Sequence, residues 1–267
     1  MLILDGKKAR DFYAEKLAAK IRTLGFSPCL AIIQVGDNAS STAYIEQKKK
    51  FGAKIGADVI HMKFPTNISF DELKKEISAL NVDKNTHGII VQLPLPEHID
   101  KISLINLISP NKDVDGLTQN TKFIPATALG VKSLLDFYKI EVKDKEIAVL
   151  GRSMLVGTPT AKLLESFGAY VAVCHSKTEN TREITKNSDI IVIAVGKARL
   201  IDETYIGKNR PVVVDIGLSK HDGRLSGDVD FEKVNTLVSA ITPVPGGVGP
   251  MTVLSLFENL VLAAEKE

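Results

Sequence analysis

The sequence predicts an α/β fold in two domains. Apolar β-branched runs alternate with amphipathic helical stretches, which is the pattern of α/β chains. Two later runs, DIIVIAV (189–195) and PVVVDIG (211–217), are hydrophobic throughout, as strands are when a parallel sheet is covered by helices on both faces. The length of 267 residues suits one large domain or two ordinary ones of ~100–200 residues each. The strand–helix pattern tightens near residue 145, so the boundary between two domains is expected within 117–145.

Each element has its own signal. Residues 7–24 (KKARDFYAEKLAAKIRTL) carry helical spacing, and 29–35 (CLAIIQV) reads as a strand. A helix over 40–55 and a strand over 58–63 follow, then a helix at 71–80 (DELKKEISAL). HGIIVQLPLP (87–96) is a buried strand running into a rigid proline turn. In the second half, KEIAVLG (145–151) is a short strand, TPTAKLLESFGA (158–169) a helix closing on Gly168, and YVAVCHS (170–176) the next strand. ITPVPGGVGPMT (241–252) is too rich in Gly and Pro for strand or helix, and a last helix over 251–265 is free to pack on either domain. There is no Gly/Ser linker, low-complexity tract or internal repeat.

Composition excludes several classes. Hydrophobic residues make up 44% and charged residues 25%, enough to bury a core. The 34 basic and 32 acidic residues leave a net charge of +2, which argues against a nucleic-acid-coating protein. Cys29 and Cys174 are far apart and form no CxxC pair, so a reducing cytoplasm is the default compartment. No apolar run approaches the ~20 residues of a membrane helix, and MLILDGKKARDFYAEKL turns charged too early for a signal peptide. The histidines (His61, His87, His98, His175, His221) show no HxxxH spacing, so no metal site is expected.

The segment IAVLGRSMLVGTPTAKLL reads as strand, tight turn, helix. Gly151 can turn sharply, Gly157 allows close helix–strand packing, and N–H groups at the helix start favour a pyrophosphate. Ser153 stands where the usual second glycine would be, and the last glycine comes one residue late, so an ordinary βα turn remains an alternative. An NAD site usually ends its next strand in an acid that binds the ribose 2′-OH. Here the strand ends Cys174-His175-Ser176-Lys177-Thr178, with no acid before Glu179. Ser176, Lys177 and Arg152 suit a 2′-phosphate, which favours NADP, unless both cations are plain surface charges.

In VGDNASSTAYIEQKKKFGAKIG, residues Ser41, Tyr44, Lys48, Phe51 and Ile55 fall on one helix face. That face is expected to turn inward, carrying Lys48 at its centre, while Lys49 and Lys50 stay in water. A desolvated ammonium has a lowered pKa and suits proton transfer near neutrality; the alternative is that Lys48 snorkels to the surface. Gln92 ends its strand with an amide whose direction the following prolines fix. Asp113 and Asp115, beside Gly116, read either as turn-formers or as carboxylates for an amino-pyrimidine edge. The 241–252 loop suits close backbone approach to a flat ligand.

Taken in order, VGDNASSTAYIEQK (35–48), GIIVQLPLP (88–96), KDVDG (112–116), GRSMLVG (151–157), CHSKT (174–178), VVVDIGL (212–218), GDVDF (227–231) and TPVPGGVGPMT (242–252) resemble the bifunctional methylenetetrahydrofolate dehydrogenase/methenyltetrahydrofolate cyclohydrolase family. The resemblance implies a folate-binding catalytic domain over 1–121 plus a returning C-terminal helix (250–267), and a Rossmann-like NADP-binding domain over 122–249, with the active cleft between them. It places the catalytic roles on Lys48, Tyr44, Gln92 and Asp115. Cofactor contacts fall on Gly151, Arg152, Ser153, Ser176 and Leu218. Substrate contacts fall on Tyr44, Gln92, Leu93, Asp115, Pro245, Gly246, Gly247 and Val248.

The implied chemistry is NADP-dependent oxidation of 5,10-methylenetetrahydrofolate to the methenyl form, then hydrolysis to 10-formyltetrahydrofolate, a step in one-carbon supply to purine biosynthesis. The resemblance also implies a homodimer. Two departures stand out: the connection LTQNTKFI between Gly116 and Pro125 is shorter than usual, and the family's P-C-T-P reads Pro125-Ala126-Thr127-Ala128. The alternatives are a monofunctional NADP-dependent dehydrogenase, a non-catalytic NADP-responsive module, and a shikimate-type dehydrogenase. The last of these leaves TPVPGGVGPMT unexplained.

Overall fold

The computed structural model of the chain describes residues 1–221 and 224–266. In chain order the elements are β1 (Leu2–Ile3), α1 (Gly6–Leu24), β2 (Cys29–Val35), α2 (Ala39–Ile55), β3 (Asp58–Phe64), α3 (Phe70–Val82), β4 (Gly88–Val91), α4 (Lys101–Ile105), α5 (Ala126–Phe137), β5 (Glu146–Leu150), α6 (Gly157–Ser166), β6 (Tyr170–Cys174), α7 (Thr181–Asn187), β7 (Ile190–Ile193), β8 (Val212–Asp215), β9 (Ser219–His221), β10 (Arg224–Ser226), α8 (Phe231–Val234), β11 (Ala240–Ile241) and α9 (Val248–Ala264). They form two compact units, one of Met1–Asp11 with Thr127–Thr252, the other of Phe12–Ala126 with Val253–Glu267.

The second unit holds a parallel sheet in the order β3-β2-β4. β2 is buried along its whole length, and its apolar residues pack with α3, β4 and α4 in a core that includes Ile33, Leu73, Ile77, Ile89 and Leu104. α2 starts where the Asn38 side chain accepts the Ser41 N–H, and it ends at Gly56 in the left-handed region, φ 89°. Ser69 and Glu72 start α3 with reciprocal side-chain–backbone bonds. From Val253 onward the last helix belongs to this unit. Its Phe257 is buried edge-on to Phe51 of α2, and Leu260 lies where a Cβ on Gly88 would collide with it.

The first unit holds a parallel sheet in the order β1-β11-β8-β7-β5-β6. β7 is fully buried and β8 nearly so, as their uniform hydrophobicity predicts, whereas β6 is the sheet edge and stays partly exposed. The chain runs from β5 out to β6, then returns to the other side of β5 as β7. The ends of β5 and β7 therefore flank the point where strand order reverses, the usual ligand position in such sheets.

Several expectations need correction at their edges. Residues 1–11, expected with the first domain, pack in the other unit because Leu2 and Ile3 pair with Ala240 and Ile241. The Gly/Pro-rich 241–252 segment carries the end of β11, and α9 begins at Val248, not near 251. Gly249 and Pro250 occupy the first helical turn, where an N–H needs no intrahelical partner.

Candidate active site

In the second unit, the inward stripe of α2 is present: Ser41, Phe51 and Ile55 are buried, with Ile45 and Gly52 beside them. Tyr44 and Lys48 are half-buried on the same face. Lys48 Nζ donates to Gln92 Oε1 at 2.8 Å. The other end of that amide, Nε2, donates to the Leu93 carbonyl at 2.9 Å, and Ser41 Oγ donates to the same carbonyl at 3.3 Å. The amide can therefore present only its oxygen to the lysine. Gln92 sits one residue beyond β4, and the Leu93–Pro94 bond after it is cis. Burial pushes the Lys48 amine below the ordinary lysine range, while Asp115 pulls it back up. Lys49, next along the helix, turns away and pairs with Glu46.

The two aspartates of KDVDG separate into different roles. Asp113 is buried, and its carboxylate accepts the N–H groups of Gly116 and Leu117 at 3.1 Å and of Thr118 at 2.8 Å. It folds the turn. Asp115 is half-buried and pushed up, by desolvation first and by Asp113 third, with Lys48 opposing between them. Burial also raises the Tyr44 phenol. The lysine is held by the hydrogen bond it donates to Gln92, and Tyr44 adds a ring and hydroxyl one turn away.

Two residues that sequence reasoning missed support this site. Asn259 of α9, almost fully buried, donates to the carbonyls of Val114 and Ile124, both at 2.9 Å, tying together the two ends of the short connection. Its only signal is a polar pair, Glu258-Asn259, inside the otherwise apolar run LFENLVLAA. Gln34, buried in β2, donates to the Gly36 carbonyl and to Thr42 Oγ1, both at 3.1 Å, and so pins the first turn of α2.

In the first unit a cavity of about 1150 Å3 opens at the reversal point of the sheet, lined by Gly151, Arg152 and Ser153 after β5, by His175, Ser176 and Thr178 after β6, and by Val195 and Lys197 after β7. A Cβ on Gly151 (φ 111°) would lie 2.2 Å from the Ala194 carbonyl oxygen, and one on Gly157 would lie 2.1 Å from the Gly151 oxygen. Both glycines are thus required by close backbone approach. The N-terminus of α6 is less open than expected, because Ser153 Oγ accepts the N–H groups of Val156 (3.2 Å) and Gly157 (3.3 Å). Ser176 and Lys177 are exposed, and the His175–Lys177 turn is held by a bond from Lys177 N–H to the imidazole at 3.1 Å. Leu218, half-buried after β8, lies outside the cavity lining.

The predicted loop Pro245–Val248 belongs to this unit too. It passes through a cis Val244–Pro245 bond, and the Gly6 N–H donates to the Gly246 carbonyl at 2.9 Å. A Cβ on Gly6 would lie 1.8 Å from the Gly247 oxygen, so α1 begins pressed against the loop.

The chain matches two family profiles: the catalytic domain of tetrahydrofolate dehydrogenase/cyclohydrolase over residues 4–115, and the NAD(P)-binding domain of the same enzymes over 125–267. It belongs to the tetrahydrofolate dehydrogenase/cyclohydrolase family. A curated relative, the bifunctional protein FolD of Halalkalibacterium halodurans, is 42% identical, with 99% of each chain covered. The crystal structure of the bifunctional FolD methylenetetrahydrofolate dehydrogenase/cyclohydrolase from Campylobacter jejuni superposes with a TM-score of 0.94 at 40% identity, covering 100% of this chain and 99% of that one. The Trypanosoma brucei dehydrogenase–cyclohydrolase, solved with NADP and an inhibitor, gives a TM-score of 0.93 at 33% identity, covering 100% and 98%. In this chain Lys48 bonds Gln92 and interacts electrostatically with Asp115.

Proposed function

We propose that this chain oxidises 5,10-methylenetetrahydrofolate with NADP+ and hydrolyses the 5,10-methenyl product to 10-formyltetrahydrofolate. The carrying observation is the Lys48 amine, half-buried, lowered in pKa and held by the Gln92 oxygen beside the Asp115 carboxyl.

Asp115 accepts N–H groups of the pterin ring and fixes its orientation, and Tyr44 packs against the folate. The methenyl cation formed on oxidation is spread over its two flanking nitrogens, so the first step needs positioning more than proton transfer. NADP+, when bound, supplies the hydride acceptor. The cavity after β5 fits it: two glycines let backbone approach, Arg152 and Ser176 line it, and the chain after β6 carries no acid before Glu179. The backbone of Pro245, Gly246, Gly247 and Val248 gives the folate a rigid contact, and Leu218, outside this cavity, would meet the cofactor only where it extends beyond the cavity.

In the second step, water adds to the methenyl carbon. Neutral Lys48 takes a proton from that water as the carbon–oxygen bond forms. The carbon–N5 bond then breaks as Lys48 returns its proton to N5 and the hydroxyl proton is released to solvent, leaving a formyl C=O on N10 and one net proton freed. Gln92 holds the amine throughout. The enzyme works as a homodimer in the cytoplasm and supplies one-carbon units for purine biosynthesis.

The test is an absorbance assay with 5,10-methylenetetrahydrofolate and NADP+, following NADPH and the methenyl intermediate together. Both activities require NADPH to rise while the methenyl signal passes through a maximum and decays. A methenyl signal that accumulates without decay identifies a dehydrogenase alone.

A further inference from the structure

We propose that Asp228 is a positioning residue for cofactor binding, holding the turn after β7 in the wall of the nucleotide cavity. This rests on the reading of that cavity as the NADP site. Asp228 is fully buried in the segment between β10 and α8. Its Oδ2 accepts the N–H groups of Val195 and Gly196, both at 2.7 Å. Its own N–H donates to Asp215 Oδ1 at 3.1 Å, and its carbonyl accepts the Ile201 N–H at 2.9 Å. The residue is thus fixed by its backbone and reaches out with one carboxylate oxygen.

The rest of the arrangement makes room for that reach. A Cβ on Gly217 would lie 2.1 Å from the Asp228 Cγ, so the carboxylate fits only because glycine stands there. Oδ1 is buried and accepts no hydrogen bond among the described residues. A buried carboxylate with an unpartnered oxygen is costly, and what this one secures is the Val195–Gly196 turn.

That turn matters to the cofactor. Gly196 has φ 73°, a conformation open to few residues, so the turn needs an external hold to stay in one place. Ala194, Val195 and Lys197 line the cavity together with Gly151 and Arg152, and Ala194 is the residue whose carbonyl presses on Gly151. Releasing Val195 and Gly196 shifts the wall facing the phosphate loop and leaves the Lys48 cluster, in the other unit, intact.

Asp228→Asn keeps an oxygen able to accept both N–H groups and puts its nitrogen where the unbonded oxygen was; Asp228→Ala removes both bonds. NADP+ affinity is measured by calorimetry on the full chain, and amide hydrogen exchange of Val195 and Gly196 on the cofactor-free protein. Asp228→Ala is expected to weaken NADP+ binding by about tenfold or more and to speed exchange at both amides, with Asp228→Asn close to wild type. Hydrolysis of 5,10-methenyltetrahydrofolate without cofactor stays unchanged in both variants. Wild-type NADP+ affinity in Asp228→Ala, equal losses in Asp228→Asn and Asp228→Ala, or hydrolysis falling in step with binding would each overturn the inference. Arg152→Ala is the control for the underlying reading: if it leaves NADP+ affinity unchanged, the cavity assignment fails whatever Asp228 does.

Discussion

Lys48 and Asp115 sustain each other's charge against burial. Burial alone drives the amine toward neutrality and the carboxyl toward protonation, and each residue opposes the shift in the other. The amine proposed as proton carrier is therefore tuned by a group whose proposed task is to bind the pterin, so substituting Asp115 is expected to alter both the lysine's titration and folate binding.

Lys48→Met removes the proposed proton carrier and keeps much of the buried stem. Cyclohydrolase turnover, measured from 5,10-methenyltetrahydrofolate, is expected to fall by at least about 100-fold, the scale of general acid–base catalysis. NADP+ affinity is expected to stay at the wild-type value, because the cavity proposed for the cofactor is lined by residues of the other unit. Wild-type hydrolase turnover in this variant would remove Lys48 from the mechanism.

Asp115→Asn takes away the charge that raises the Lys48 pKa. The amine then loses its proton at a lower pH, so the rising limb of the hydrolase pH–kcat profile moves toward acid, and KM for the folate rises as the charged acceptor is lost. A limb that stays in place or moves toward alkali contradicts the coupling.

Much of this site was legible in the sequence, and the limits of that legibility are physical. Helical spacing in VGDNASSTAYIEQKKKFGAKIG placed Lys48 among Phe51 and Ile55 because one buried face imposes its period on the residues. The same logic could not divide Asp113 from Asp115: in a turn, spacing does not reveal which carboxylate folds back onto backbone N–H groups. α5 was hidden because its sequence, ATALGVKSLLDF, carries Gly130, and that glycine serves tertiary packing: a Cβ there would lie 2.9 Å from backbone of Met251. β1 and β11 are two residues each, too short for any periodicity, and exist because they complete an edge already formed by β8.

Cofactor choice is expected to follow the charge at the end of β6. Ser176→Asp puts a carboxylate where NAD enzymes keep one, beside the proposed 2′-phosphate position, and removes a hydroxyl donor. The ratio of kcat/KM for NADP+ to that for NAD+ should fall by about tenfold or more, since repulsion between close like charges is worth at least about 1.4 kcal/mol in a partly enclosed site. An unchanged ratio places the 2′-phosphate elsewhere.

Gly157→Ala tests the phosphate loop by shape. The added Cβ meets the Gly151 oxygen at 2.1 Å and its carbon at 2.7 Å, and both are backbone atoms that cannot rotate aside. The loop must therefore move. The expected outcome is a loss of 1–3 kcal/mol or so in stability, typical of overpacking, together with weaker NADP+ binding and unchanged hydrolysis of methenyltetrahydrofolate. Wild-type NADP+ affinity in this variant would separate the glycine contact from the nucleotide site.

Asp215 gives the first unit a pH dependence of unusual sign. Its carboxylate accepts the N–H groups of Gly217, Asp228 and Val229, yet desolvation dominates and the carboxyl is pushed up to about 6. A carboxyl with a folded pKa above its unfolded value binds its proton more tightly in the native state. Its contribution is therefore most favourable below about pH 4 and is lost as the pH rises to about 6. The loss amounts to roughly 3 kcal/mol. Asp100 and Asp202 are held below the usual carboxylate range and give the opposite slope at lower pH, so the comparison must be made against a variant. Asp215→Asn cannot titrate, and its amide nitrogen faces an N–H donor, which makes it less stable than wild type at every pH. Urea unfolding of both proteins at intervals from pH 4 to 7 should show the gap between them narrowing as the pH rises, then holding constant above about 6.5. A gap that stays constant throughout, or widens, would mean that the three N–H donors outweigh burial and that Asp215 is ionised across the whole range.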